Sequence, residues 1–474
     1  QPSQQQPTSQ QPPPALLLSS AELDMLGSPL LGVPVTVKEC IAVDGMKHSC
    51  GLWYRRNTLA AQDAVVVKNA KRFGLIPICT TNVPEMTLFW ADCRNKIYGS
   101  TCNPYNSARV PGASSGGEGA LLGAGASIVG IGTDIGGSLR NPAHYSGIMS
   151  HKPSPFLVSS EGNYPTVKEA RLRLFTMGPM CRYASDLRYL LKVLLSDEDN
   201  PKRDSYYIHQ PLEIGELRRR VLEQLEQPVD LSKIKFFHGQ FSEMNRWRAL
   251  LEQREPRVQP EIMAAQRDVI DHFKTRFNCQ VEQIDLEKYL AKTYKAWLGM
   301  MACGGTIDRD QVFEEREAEK IFGISNLRLE VLKLMLGLSR HTKESIGTII
   351  FGLPIPKSRS RAYKMCEKYE QLVCDMKKEL EATLGEFGCV VMPTLPTVAH
   401  KHNHALMRTN EARFPLLWNV AQFPVTHVTI RLDKAHGLPL GLTIASRPGN
   451  DALTIAVAEE IERTFGGWTP PSKF

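Results

Sequence analysis

Apolar and polar positions divide the chain into stretches of different texture. Residues 30–39 (LLGVPVTVKE) are apolar and β-branched, which predicts a short buried strand ending at Lys38. Val33, Val35 and Val37 fall on one face, and Pro34, Thr36 and Lys38 on the other. Alternation alone therefore leaves the burial of Lys38 open, and an ordinary surface lysine would fit it equally. Residues 63–73 (DAVVVKNAKRF) have the spacing of an amphipathic helix capped by Asp63, and residues 74–79 (GLIPIC) read as the next strand. A helix is predicted at 118–125, a strand at 127–133 and another helix from 138 to 145. This alternation belongs to a largely parallel sheet.

From 196 to 377 long charged amphipathic helices dominate, such as 213–226 and 260–277, broken by one strand at 233–237. Residues 327–338 and 345–353 are unusually apolar there, and a basic run follows at 357–361. They read either as helices covering the core or as a lip touching a membrane beside a substrate entrance. A helix at 363–384, strands at 388–393, 425–432 and 440–445, and a last helix at 451–465 complete the pattern.

Two turns interrupt it with unusual chemistry. The first runs Pro111-Gly112-Ala113-Ser114-Ser115-Gly116-Gly117-Glu118-Gly119, and the second Gly132-Thr133-Asp134-Ile135-Gly136-Gly137-Ser138-Leu139-Arg140. Small and apolar residues fill the segment between them. Glycines at this density let backbone N–H groups approach a ligand closely. N–H groups ending in a serine hydroxyl at a helix start suit a negatively charged oxygen, the requirement of an oxyanion hole. A phosphate-binding loop would need Lys followed by Ser or Thr after its last glycine, and neither turn has it. Residues 112–116 do fit the G-x-S-x-G of a nucleophile elbow, but that elbow follows a buried strand, and 103–111 reads as loop. Structural glycine turns alone would not explain two serine-bearing turns flanking one small-residue segment.

Composition narrows the class. The 474 residues are 42% hydrophobic, enough for a large core, and the net charge of +7 is scattered without an aromatic-interleaved basic tract. Nucleic acid is not an expected partner. Eleven cysteines without a C-x-x-C pair suggest neither a disulfide framework nor a zinc site, so an intracellular, reducing compartment is expected. His400, His402 and His404 alternate as on one side of a strand, but no Cys or carboxylate accompanies them in sequence, so unconnected loop histidines are expected and no metal. Residues 1–14 form a low-complexity Gln/Pro/Ser tail, leaving 15–474 as one domain. No apolar run reaches the roughly eighteen residues of a spanning helix.

The two turns, with Lys38 upstream, resemble the amidase signature family, and the likeness extends over residues 26–474. Further matches at 95–99 (NKIYG), 151–154 (HKPS), 178–184 (GPMCRYA) and 465–468 (FGGW) are similar to the branch acting on fatty-acid amides. Members usually carry a helical segment before the lysine strand, and many of this branch a spanning helix before that; residues 1–29 match neither. The resemblance implies an α/β fold, one domain with a mixed, twisted sheet between helical layers. It implies Lys38 as general base and acid, Ser114 as a bridging serine in a cis peptide, and Ser138 as nucleophile. Backbone N–H groups of Ile135, Gly136, Gly137 and Ser138 would form the oxyanion hole. Asp134 and Arg140 would pair beneath the turn, and Met86 and Leu88 are candidate substrate-binding residues. The implied activity is cleavage of carboxylic amides, long-chain fatty-acid amides foremost, without cofactor or metal. A small-amide or aryl-amide hydrolase, or the glutaminase component of an amidotransferase, is the alternative. The implied partners are a lipid amide, a membrane surface (cytoplasmic membranes or lipid droplets) and a second copy in a homodimer.

Overall fold

A computed structural model of the chain describes residues 28–167, 169–196, 211–241, 258–302, 324, 326–351 and 359–471. The tail expected at 1–14 lies outside these residues. The strands are β1 (Pro34–Lys38), β2 (Ile76–Thr81), β3 (Arg94–Asn95), β4 (Gly99–Ser100), β5 (Val129–Asp134), β6 (Met149–Lys152), β7 (Thr176–Cys181), β8 (Lys235–His238), β9 (Gln280–Gln283), β10 (Gly388–Pro393), β11 (Val425–Leu432) and β12 (Pro439–Ser446). The helices are α1 (Val65–Arg72), α2 (Gly116–Gly123), α3 (Arg140–Ser146), α4 (Glu169–Leu172), α5 (Ala184–Leu195), α6 (Pro211–Glu226), α7 (Pro260–Phe277), α8 (Glu287–Ala302), α9 (Leu327–Met335), α10 (Lys343–Phe351), α11 (Arg359–Leu384), α12 (Arg413–Val420) and α13 (Asp451–Phe465).

Ten strands form one sheet in the order β2-β1-β5-β7-β6-β11-β12-β10-β8-β9, and β3 and β4 pair separately. The flanks are parallel, at β1 with β2 and β5, and at β8 with β9 and β10. The centre is antiparallel, where β7 pairs with β5 and β6, and β11 pairs with β6 and β12. The sheet is therefore mixed, as the resemblance implies, and not largely parallel as the αβ alternation alone suggests. Flanking helices bury it so fully that β1 beyond Pro34 and all of β10 are inaccessible.

Several elements escaped the pattern for identifiable reasons. β7 contains Gly178 and Pro179, which read against a central strand, yet it lies between β5 and β6. β9 is a polar, largely exposed edge strand inside the region read as helical, and it extends the sheet beyond β8. Asp63 does not cap α1. Ala64 holds that position, and Asp63 instead accepts from the Asp44 N–H at 2.8 Å and pairs with Lys71 at 2.7 Å. The histidine stretch is no strand side but a loop entering a 3₁₀ turn, His404–Ala412. Nor are its histidines unconnected: His400 Nε2 meets Glu411 Oε2 at 2.8 Å, and His402 Nδ1 lies 3.5 Å from Asp92. Their carboxylates come from elsewhere in the chain, which a local reading cannot see. Among the described residues no group of three His, Cys, Asp or Glu could hold a metal. Nine cysteines among the described residues are free, but Cys366 in α11 is disulfide-bonded, a bridge that the lack of C-x-x-C pairs does not signal.

Candidate active site

β1 delivers Lys38 to the centre of the molecule. Its neighbours on either side are β2 and β5, with Val37 in register with Ile131, so the Lys38 amino group reaches the end of β5. Lys38 has no solvent exposure. Its Nζ donates to Ser114 Oγ at 2.6 Å and to Thr133 Oγ1 at 2.7 Å. Burial pulls its pKa below the ordinary lysine range, although the nearby Cys40, Cys50 and Asp134 act in the opposite sense. Beneath this cluster Glu118 on α2 accepts from Thr36 Oγ1 at 2.6 Å and Thr81 Oγ1 at 2.7 Å; burial pushes its carboxyl up to about 7.

The first serine turn follows a loop, not a strand, which excludes the nucleophile elbow. The resemblance implies a cis peptide at Ser114, and here the structure differs. Tyr164–Pro165 is the cis bond among the described residues, and the chain reversal before Ser114 is carried by positive φ at Gly112 (99°) and Ala113 (27°).

The second turn is built on a buried ion pair. Asp134 closes β5, and its two oxygens accept from Arg140 Nη2 and Nε, each at 3.0 Å. Asn419 on α12 adds a donor to Asp134 Oδ1 at 2.8 Å and accepts from Arg140 Nη2 at 2.6 Å. Burial alone would push the Asp134 carboxyl up, but the Arg140 charge and these hydrogen bonds hold it well below the usual carboxylate range. The carboxylate also draws in the backbone N–H groups of Gly137 at 2.8 Å and Leu139 at 3.1 Å. Gly137 stands at φ +107°, a conformation that a Cβ disfavours. Its N–H is thereby removed from the expected oxyanion hole. Those of Ile135, Gly136 and Ser138 carry no acceptor among the described residues.

Ser138 opens onto a cavity of about 620 Å³ whose wall is mostly apolar, formed by Leu88, Phe89, Trp90, Trp297, Leu298 and Leu416. Its hydroxyl makes no hydrogen bond among the described residues, so the contact between Ser114 and Ser138 is not closed here, whereas that between Lys38 and Ser114 is. Catalytic hydrogen bonds are often loose before substrate binds. Of the two candidate substrate-binding residues, Leu88 lines the cavity. Met86 does not: with φ at +61°, it packs into the main core. Thr133, Asn419 and Trp297 were not singled out in the sequence. Thr133 adjoins Asp134 in the second turn and carried a local signal; the other two are remote in the chain and carried none.

Comparison with known proteins gives the family. A family model described as Amidase matches residues 15–234. Fatty-acid amide hydrolase 2 of Homo sapiens is 36% identical over 94% of this chain and 77% of its own length. The chain belongs to the amidase signature family. It is an amidase, a hydrolase of carbon–nitrogen amide bonds. Fatty-acid amide hydrolase 2-A of Danio rerio is 34% identical over the same shares of both chains. Among solved structures, a glutamyl-tRNA(Gln) amidotransferase component from Thermotoga maritima shares the fold with a TM-score of 0.68, at 20% identity, over 93% of this chain and 86% of its own.

The buried pair under the second turn makes a stability prediction. Asp134→Asn leaves the Arg140 charge without its counter-charge and should cost about 3–5 kcal/mol in urea unfolding. A carboxyl with a depressed folded pKa contributes stability that is present above its unfolded pKa and lost only as pH falls through the folded one. The difference between wild type and variant should therefore stay constant from about pH 5 to 8. A cost below about 1 kcal/mol would show a pair that behaves as if solvated.

Proposed function

We propose that this amidase hydrolyses long-chain fatty-acid amides to acid and amine, with Lys38, Ser114 and Ser138 as its catalytic residues. The observation that carries the reading is the fully buried Lys38 hydrogen-bonded to Ser114 at 2.6 Å, beside a turn that presents Ser138 to an apolar cavity. A serine hydroxyl is a weak nucleophile and needs a base within reach. Burial lowers the lysine's pKa and so favours the neutral amine that can act as that base. Ser138 Oγ attacks the amide carbonyl carbon while its proton passes through Ser114 to Lys38. The carbonyl oxygen becomes an oxyanion against the open N–H groups of Ile135, Gly136 and Ser138. The proton then returns by the same route to the leaving amine as the C–N bond breaks. Water hydrolyses the acyl-enzyme with Lys38 again as base.

The fatty-acyl part of the reading draws on the apolar cavity wall and on relatives named as fatty-acid amide hydrolases. The amidotransferase-glutaminase alternative rests on the fold shared with the bacterial amidotransferase, and a polar glutamine side chain fits that wall poorly. A catalytically dead lipid-binding protein would have no use for the buried lysine and its contact with Ser114.

Membrane contact is proposed as part of the same function. α9 and the turn after it expose Leu329, Leu332, Met335, Leu336 and Leu338, Met335 at 79%, which departs from the core-covering alternative. The next helix, α10, carries Lys343, Glu344 and Gly347 into the cavity wall. The side chains of Ile349, Ile350 and Phe351, and the start of the basic run at 357–358, lie outside the described residues. Among the described residues no helix is long and apolar enough to cross a membrane.

Two experiments check these readings. Lys38→Ala should slow both a fatty-acid amide and the ester of the same acid. The amide should lose a further ~10²–10⁴-fold, because its poor leaving group needs the returned proton. Equal losses would remove the acid role from Lys38, and turnover surviving in Ser138→Ala would remove the nucleophile. Replacing Leu332, Met335 and Leu336 together by Asn should release the protein from anionic liposomes in a sedimentation assay. A wild type that never sediments with liposomes would rule the contact out.

A further inference from the structure

Trp297 is remote in sequence from both serine turns, yet its indole Nε1–H donates to the Ile135 carbonyl oxygen at 2.7 Å. The Ile135 C=O and the Gly136 N–H belong to one planar peptide unit, in which the two bonds of a trans peptide point in opposite directions. Holding the carbonyl against Trp297 therefore sets the direction of the Gly136 N–H, one of the three that remain open. A second contact falls on the same unit. Trp297 Cζ2 and Cε2 lie 3.5 and 3.6 Å from where a Cβ on Gly136 would stand, and Leu416 Cδ2 closes the space at 3.1 Å. The neighbouring peptide is anchored differently, since Gly137 N–H is held by Asp134. The two anchors divide the turn between them.

The helix behind Trp297 is itself fixed. Gly299 on α8 meets the Tyr369 ring of α11 so closely that a Cβ there would clash with it. Arg171 Nε donates to the Met301 carbonyl at 3.1 Å near the end of the same helix. The indole also forms part of the cavity wall. An acyl chain seated in the cavity would press on the group that aims the donor.

We propose that Trp297 is a positioning residue that aims the Gly136 N–H at the developing oxyanion and so links acyl occupancy to catalysis. This rests on the reading of Ser138 as nucleophile. The test replaces Trp297 by Phe and, separately, by 3-benzothienylalanine, which keeps the indole shape and lacks its N–H. Turnover of oleamide is measured beside two ligands. One is the trifluoromethyl ketone of the same chain, whose carbonyl carbon takes Ser138 Oγ and whose oxygen becomes the oxyanion. The other is oleic acid, which fills the cavity without forming one.

Removing an oxyanion-hole donor costs about 10²–10³-fold in kcat, and misaiming one should cost roughly tenfold or more. The benzothienyl variant should lose that in kcat and weaken the ketone in parallel, while KM and oleic acid binding hold. Equal weakening of ketone and oleic acid would make Trp297 a wall and nothing more, and an unchanged kcat would equally overturn the inference. If Phe fails to fold, the benzothienyl variant, which preserves packing, still decides. A wild type inert towards both oleamide and ketone would overturn the hydrolase reading, and this inference with it; an active wild type matched by the benzothienyl variant overturns the inference alone.

Discussion

The burial of one amine governs the rest of the molecule. Lys38 lies at the end of β1 with no solvent-exposed surface, and that burial lowers its pKa. A protonated lysine there would need a counter-ion. The structure gives it two hydroxyls instead, from Ser114 and Thr133, which suit a neutral amine. The arrangement works against folding. Through the pH window between the lowered folded pKa and about 10.4, the unfolded chain binds a proton that the folded chain has released. Stability therefore rises with pH across that window, and at neutral pH the site is maintained at the expense of the fold. A two-sided sheet, with its flanking helices, supplies the burial that offsets this cost.

Charge is handled differently in the neighbouring turn. Asp134 is kept ionised by the Arg140 guanidinium and by a further donor from Asn419. Their contribution is shape: the carboxylate takes up two backbone N–H groups and leaves three others open beside Ser138. One buried group is thus pushed towards neutrality and another held as an ion, at the ends of the neighbouring strands β1 and β5. The contrast follows from partners, hydroxyls for the lysine and a guanidinium for the aspartate. The cavity joins the second turn to distant parts of the chain. Ile135, Gly136 and Ser138 share its wall with residues 87–90 and with Tyr294, Trp297, Leu298, Lys343, Glu344 and Gly347 of α8 and α10, so the pocket's shape draws on stretches remote from the turn.

How much could be read beforehand follows the same division. Lys38, Ser114, Ser138, Asp134 and Arg140 sit in short local patterns, and the family's turns are legible as strings of glycine and serine. β10, β11, α7 and α13 appear with the bounds expected, because each is a clean apolar or amphipathic run. Local backbone geometry and features set by tertiary neighbours were not legible. The Gly137 N–H goes to Asp134 and not to the open set, Met86 turns into the core, and the Ser114 peptide is trans. Trp297 and Asn419 gain their places only when α8 and α12 pack against the second turn. The burial of Lys38, left open by strand alternation, required the second layer of helices.

The pH dependence of Ser138 labelling by a fluorophosphonate tests the lysine most directly, because it reports the free enzyme and needs no choice of amide. The account predicts a rate that rises with pH along a limb centred well below the ordinary lysine value of about 10.4. The limb should vanish in Lys38→Ala, together with most of the rate. A limb centred near the ordinary lysine value, or one that survives unchanged in Lys38→Ala, would contradict it.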